Sequence, residues 1–175
     1  LRCLLLGREA RVGCDTRASE QEVLRIHERH RGQHFRAGGR LQRGSEPFTG
    51  DGVLLELQRW NDVRLQADGD QLVATVGAGC QIKRLLKELD REGATLHSLG
   101  LITAQTIAGA ISTGTHGSGR NSMSHYVVGV RLARYDASTG QAIIEELSAG
   151  EPLQAARCSL GSLGIILAVR IRCPE

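Results

Sequence analysis

Between Ser98 and Gly119 the chain reads Ser-Leu-Gly-Leu-Ile-Thr-Ala-Gln-Thr-Ile-Ala-Gly-Ala-Ile-Ser-Thr-Gly-Thr-His-Gly-Ser-Gly. No Asp, Glu, Lys or Arg occurs from His97 through Gly119, in a protein with 23% charged residues. Gly100, Gly109, Gly114, Gly117 and Gly119 let a ligand approach the backbone closely. Ser98, Thr106, Ser112, Thr113, Thr115 and Ser118 add hydroxyl donors. Such a stretch suits a phosphate-bearing ligand held by N–H and O–H groups rather than by Lys or Arg. Its lack of charge predicts that it is buried or pressed against something. His116, set among glycines, is expected near the ligand or as a hydrogen-bonded structural histidine.

Two better-known phosphate loops are imitated but not met. Val76-Gly-Ala-Gly79 follows a strand pattern and precedes a helix, as a dinucleotide fingerprint does. However, Ile82 stands at the third glycine of G-x-G-x-x-G, where its side chain would block close helix–strand packing. Gly114-Thr-His-Gly-Ser-Gly119-Arg120-Asn121 has the spacing of a nucleotide triphosphatase loop, but Arg and Asn replace the Lys and hydroxyl that do its chemistry. His27, His30 and His34 lack a Cys or carboxylate at ligand spacing to close a metal site, so solvated helix histidines are expected. Asp51 and Asp62 read as turn residues. Neither a Ser-His-Asp arrangement nor a carboxylate pair stands out, so the ligand cradle has no visible catalytic apparatus beside it.

Composition bounds the rest. The 175 residues suffice for one domain or two small subdomains. Aromatics are only 3%, so the core must be built from Leu, Ile, Val and Ala. The net charge of +3 carries no long basic run and argues against nucleic acid as a partner. The five cysteines, Cys3, Cys14, Cys80, Cys158 and Cys173, are odd in number and form no C-x-x-C. Reduced thiols and a cytoplasmic setting are expected. No apolar run approaches the roughly 20 residues of a membrane span.

Residues 1–18 carry no clear pattern. Ser19-Glu-Gln-Glu22 is a capping box that opens a helix to about Arg31 with Val23, Leu24 and Ile26 inward. Short strands are expected over 34–37 and 53–57, with a Gly- and Arg-rich loop between them. Residues 63–67 and 72–76 read as a hairpin turning at Asp68-Gly-Asp70. Ile82, Leu85, Leu86 and Leu89 mark the clearest helix, with Gly93 to end it. Thr106 can cap a short helix over 107–112. A hairpin of 126–135 with 141–147, a short helix over 151–156 and a last strand over 165–172 complete an α+β reading. A division into subdomains of 19–97 and 98–175 is expected.

The central stretch closely resembles the second FAD-binding segment of the vanillyl-alcohol oxidase/p-cresol methylhydroxylase superfamily, and most of all that of the sugar-lactone and alditol oxidases. Phe35-Arg-Ala-Gly and Asp51-Gly-Val-Leu-Leu-Glu-Leu are similar to its first FAD loop and following strand. Ala155-Ala-Arg-Cys-Ser-Leu-Gly-Ser-Leu-Gly164-Ile-Ile resembles its closing flavin-domain signature. The resemblance runs over roughly residues 19–173. It implies two α+β subdomains sandwiching FAD, and oxidation of a CH–OH group of a sugar lactone or polyol by hydride transfer to flavin. It also implies that Ala37, Gly38, Gly39, Arg40, Leu41, Gln42 and Arg43 line the pyrophosphate. Ser98, Thr106, Gly109, Thr113, Gly114, Thr115 and His116 would line the pyrophosphate and flavin. Gly164, Ile165 and Ile166 would meet the adenine end.

Two departures from that family alter the expectation. Gln42 stands where many members carry the His that is covalently joined to the flavin, so FAD is expected to be non-covalent. Arg40 and Arg43 can compensate by charge. The C-terminal substrate domain, which supplies most substrate-binding and acid/base residues, is expected to be absent. A vestigial, non-catalytic FAD module is the alternative reading.

Overall fold

The computed structural model describes residues 2–6, 12–13, 20–31, 35–38, 52–119 and 121–174. Their order is β1 (Arg2–Leu6), β2 (Val12–Gly13), α1 (Glu20–Arg29), β3 (Phe35–Gly38), β4 (Gly52–Glu56), β5 (Val63–Asp68) and β6 (Gln71–Gly77). After these come α2 (Ile82–Asp90), α3 (Ile107–Ser112), β7 (Val127–Tyr135), β8 (Ala142–Leu147), α4 (Gly150–Arg157) and β9 (Ile165–Cys173). The expected α+β class is observed. One sheet has the order β2-β1-β4-β3, with β3 and β4 parallel. The other, β5-β6-β9-β7-β8, is antiparallel throughout. Strands from both sides of position 97 share this second sheet. The long strand expected from Tyr126 starts one residue later, because Met123–Tyr126 winds into a 3-10 turn.

The local chemistry explains the elements. Ile82, Leu85 and Leu89 of α2 are buried while Lys83, Arg84 and Lys87 stay wet, as the helical spacing predicts. Gly93 takes φ +70°, and the N–H groups of Gly93 and Ala94 return to the carbonyls of Asp90 (3.2 Å) and Leu89 (3.0 Å). That is the Schellman stop a glycine at this position permits. Asp136 accepts the N–H groups of Ser138 and Thr139 at 3.0 and 2.7 Å, which fixes the turn of the β7–β8 hairpin. The core is aliphatic, as the composition requires: Val76, Leu85, Ile107, Ile111, Leu132, Leu167 and Val169 are all fully buried.

The turn after β6 is held by backbone contact. A Cβ on Gly79 would stand 1.6 Å from the Leu57 carbonyl oxygen, and one on Gly77 would stand 2.6 Å from that of Trp60. The N–H groups here are already used. Gly77 donates to Asp62 O, Ala78 to Leu167 O, Gly79 to Trp60 O, Ile82 to Gln105 O and Lys83 to Thr103 O, all at 2.8–2.9 Å. This is the physical reason the fingerprint-like Gly77-Ala-Gly79 cannot cradle a pyrophosphate: its donors, and those opening α2, are spent on the protein.

Helix α1 docks on the β7–β8 hairpin. The Tyr135 hydroxyl donates to the His27 carbonyl, and the two rings stack with centroids 4.0 Å apart. Arg131 meets Glu20 at 2.6 Å, and the Ala142 N–H donates to the Glu28 carboxylate. Burial pushes the His27 pKa below its ordinary 6.5, against a smaller raising pull from Glu28. His27 therefore stays neutral in the folded chain where the unfolded chain takes up a proton. Its contribution to stability is present above the unfolded pKa and is lost as pH falls below about 6.5.

Two outcomes follow from this packing. The urea midpoint should drop between about pH 7.5 and about pH 5. The drop should be smaller in His27→Phe, which keeps the stack and cannot titrate, and equal pH slopes in the two proteins would remove His27 from the account. Gly79→Ala should cost at least about 2 kcal/mol by urea unfolding. Gly119→Ala, whose Cβ meets nothing within 4 Å, should stay within about 0.5 kcal/mol of the parent.

Candidate functional site

The uncharged stretch folds back on itself. Thr106 caps α3, its Oγ1 accepting the Gly109 N–H at 3.4 Å. At the other end of the helix the Thr113 hydroxyl donates to the Gly109 carbonyl at 3.0 Å. Gly114 then turns the chain at φ +66°. Residues 115–117 come back against 99–100: a Cβ on Gly100 would meet Thr115 Cγ2 at 2.5 Å, and one on Gly117 would meet the Leu99 carbonyl at 2.3 Å. Two of the glycines read as room for a ligand thus make room for the chain itself. Gly109 and Gly119 are exposed, and a Cβ on Gly119 would meet nothing within 4 Å.

The expectation of a buried stretch holds only in part. Ser98, Ile107, Ala110 and Ile111 are buried, whereas Leu101 is 100% and Ile102 57% exposed. Thr113 and His116 are exposed, and Gly114 and Thr115 are half-buried. The absence of charge marks an uncharged surface instead of an interior segment.

Polar groups on this surface lack partners among the described residues. The Ser98 hydroxyl is buried and has no hydrogen bond among the described residues. No carbonyl there receives the N–H groups of His116, Gly117, Ser118 and Gly119. His116 Nδ1 lies 2.9 Å from the Gly117 carbonyl. A carbonyl only accepts, so Nδ1 is the donor in this contact. The arrangement can receive anionic oxygens on N–H and O–H groups and place a flat, uncharged group against Leu99, Leu101 and Ile102.

Other expected site residues fall as follows. The Leu160 N–H and the Cys158 thiol both reach the Ser112 carbonyl, at 3.1 and 3.5 Å, which brings the 158–164 turn onto the end of α3. Gly164, at φ +141°, lies so close to Ala133 that a Cβ would stand 2.5 Å from its carbonyl oxygen. Ile165 and Ile166 are core residues of β9, only 4% and 5% exposed, so their side chains point away from any surface ligand. Ala37 and Gly38 lie at the end of β3, which approaches β9. Gly39, Arg40, Leu41, Gln42 and Arg43 lie outside the described residues. The exposed Leu101 and Ile102 were missed as candidates, because two aliphatic residues in a sequence read as core. Among the described residues no group of three His, Cys, Asp or Glu side chains could hold a metal.

Residues 9–141 match the FAD binding domain family. The chain belongs to this family. A long-chain alcohol oxidase from an uncultured marine euryarchaeote is 88% identical to it over 160 residues, 91% of this chain and 33% of that protein. The L-gulonolactone oxidase of Mus musculus is 34% identical over 125 residues, 70% of this chain and 28% of that protein. A solvent-stable cholesterol oxidase of known structure is 20% identical, with a TM-score of 0.76 over 89% of this chain and 33% of that one, and shares the fold. The expected kinship with the FAD-binding oxidases holds. The chain spans about a third of the length of these relatives.

The residues present fit FAD. Open N–H groups suit its pyrophosphate, the orphaned Ser98 hydroxyl needs a partner, and the apolar, uncharged surface suits its ring system. A buried unpartnered hydroxyl costs about 1–3 kcal/mol. Ser98→Ala should therefore leave the ligand-free protein as stable or more stable by urea unfolding. FAD affinity, read by fluorescence quenching, should fall about fivefold, the value of one hydrogen bond. Loss of stability with unchanged affinity would make Ser98 a structural residue.

Proposed function

We propose that this chain is the flavin-holding part of an oxidoreductase that converts a CH–OH group to a carbonyl, with FAD bound non-covalently. The observation that carries this reading is the uncharged surface of 98–119, where among the described residues four N–H groups and one buried hydroxyl have no partner. Ser98, Thr106, Gly109 and residues 113–116 would hold the flavin end and pyrophosphate. Ala37–Arg43 would line the pyrophosphate, as the motif resemblance implies. Gly164 and the backbone of Ile165 and Ile166 would reach the adenine end, since the two isoleucine side chains belong to the core. When bound, FAD supplies a two-electron acceptor for the hydride of the carbinol carbon. The chain's own residues orient it and keep water from one face.

Two donor classes are in play, and they share that chemistry. Sugar lactones and polyols follow from the motif resemblance and from the name of the mouse relative. A long-chain primary alcohol is the second reading, favoured by the name of the 88% identical archaeal relative.

Protein purified with its flavin should show an oxidised-flavin spectrum, and acid precipitation should leave the yellow colour in the supernatant. Colour in the pellet would overturn the non-covalent assignment. Anaerobic bleaching of the gene product as encoded by an aldonolactone or alditol supports the first donor class, and bleaching by a long-chain alcohol alone supports the second. A colourless protein that FAD does not stabilise thermally would refute the flavin reading altogether.

A further inference from the structure

A second polar site lies along α4, lined by no residue of the 98–119 stretch. A cavity of about 250 Å³ opens there, between the first turn of the helix and the sheet. Arg157 and Arg172 line it from the helix and from β9, and Ser148 and Gln154 add polar groups. Val128 and Leu153 supply its apolar wall. No carboxylate lines it among the described residues, although Glu151 sits in the same helical turn.

Both arginines are available. Neither makes an ion pair among the described residues, while Arg131, Arg134 and Arg170 nearby in the sheet are each matched to a glutamate. Arg157 is half-buried and oriented: its Nε donates to the Val127 carbonyl at 2.8 Å, which holds the guanidinium plane and leaves the terminal nitrogens open. Ala149 precedes α4 and has no capping side chain. Pro152 carries no N–H, so the Gly150 and Glu151 N–H groups are the first-turn donors left without a side-chain acceptor, and Gly150 at φ +65° forms part of the cavity wall. Two guanidinium groups, open N–H donors and two neutral polar side chains converge on one small volume. That donor set matches the several acceptor oxygens of a tetrahedral oxyanion.

We propose that this cavity binds a phosphate-bearing small molecule, with the phosphate on Arg157, Arg172 and the first turn of α4, and its carbon part against Val128 and Leu153. The site is separate from the proposed flavin site. The cavity runs along α4 from Gly150 to Arg157, and none of the residues assigned to the flavin lines it. It does not depend on the flavin reading.

Inorganic phosphate is the probe. Titrated at constant ionic strength against chloride, it should shift the backbone amide resonances of Gly150, Glu151 and Leu153 and raise the thermal midpoint. The same shifts should persist when FAD is present at saturation. Arg172→Gln, at an exposed position, should weaken phosphate binding about tenfold, the worth of one charge-assisted hydrogen bond. Arg157→Lys should weaken it as well, and if that variant does not fold, Arg172→Gln decides. Equal effects of chloride, loss of the shifts on adding FAD, or unchanged affinity in Arg172→Gln would each overturn the proposal. Because the amide shifts are read on the protein with or without FAD, failure of the flavin reading leaves this test intact.

Discussion

The backbone clamp between residues 77–83 and 103–108 is the constraint on which the rest depends. Ile107 donates to the Cys80 carbonyl at 2.8 Å and Ile82 to the Gln105 carbonyl at 2.9 Å, forming a single β-bridge between Gln81 and Thr106. The same few residues therefore end β6, start α2 and start α3. Ala78 adds a bond to Leu167 in β9, so the clamp is fastened to the middle of the second sheet. Buried backbone groups must find partners, and here each partner lies on another element. The clamp decides where α3 begins, and so where the surface of residues 109–119 stands. Glycine at 79 lets the same turn also lie against the Leu57 carbonyl.

The far end of α3 is fixed by a different device. The Ser112 carbonyl accepts from both Cys158 and Leu160, and a Cβ on Gly114 would lie 3.3 Å from the Cys158 sulfur. Leu160 sits at φ +53°, a conformation that costs a non-glycine residue about 1–2 kcal/mol. It is also 76% exposed, so neither burial nor local preference accounts for it. The bond to Ser112 and the glycine that follows hold it there. Strain of this kind collects where a loop is shaped for a ligand, and this loop lies beside the surface argued above to hold FAD.

Much of the fold was legible because each signal was local. The helical spacing of Ile82, Leu85 and Leu89, the Gly93 stop and the Thr106 cap are properties of a few adjacent residues, and the structure shows each one. Sheet order was not legible: that β9 inserts between β6 and β7 follows from which edges are left unpaired after all the hairpins form. The glycines were read by residue type alone, and type does not say what approaches. At Gly77, Gly79, Gly100 and Gly117 the approaching group is the chain's own backbone or a side chain from a distant position. The cavity at α4 gave no signal, since Arg157 and Arg172 are brought together only by the pairing of strands distant in the chain.

Leu101 and Ile102 stand exposed on the same surface. Leu101 leaves its whole side chain in water and Ile102 more than half of it, which forgoes a stabilisation of about 1.5–3 kcal/mol for each side chain fully buried. A charged or polar residue would be tolerated at both places by the fold alone, since no core contact depends on them. Apolar residues there gain only when something covers them. A bound group with an aromatic surface would draw its affinity from this area and from the orphaned Ser98 hydroxyl together. Both costs are borne by the ligand-free protein and relieved on binding, so stability and occupancy are linked by mass action. On the proposed reading, bound FAD would cover this uncharged surface and relieve both costs at once.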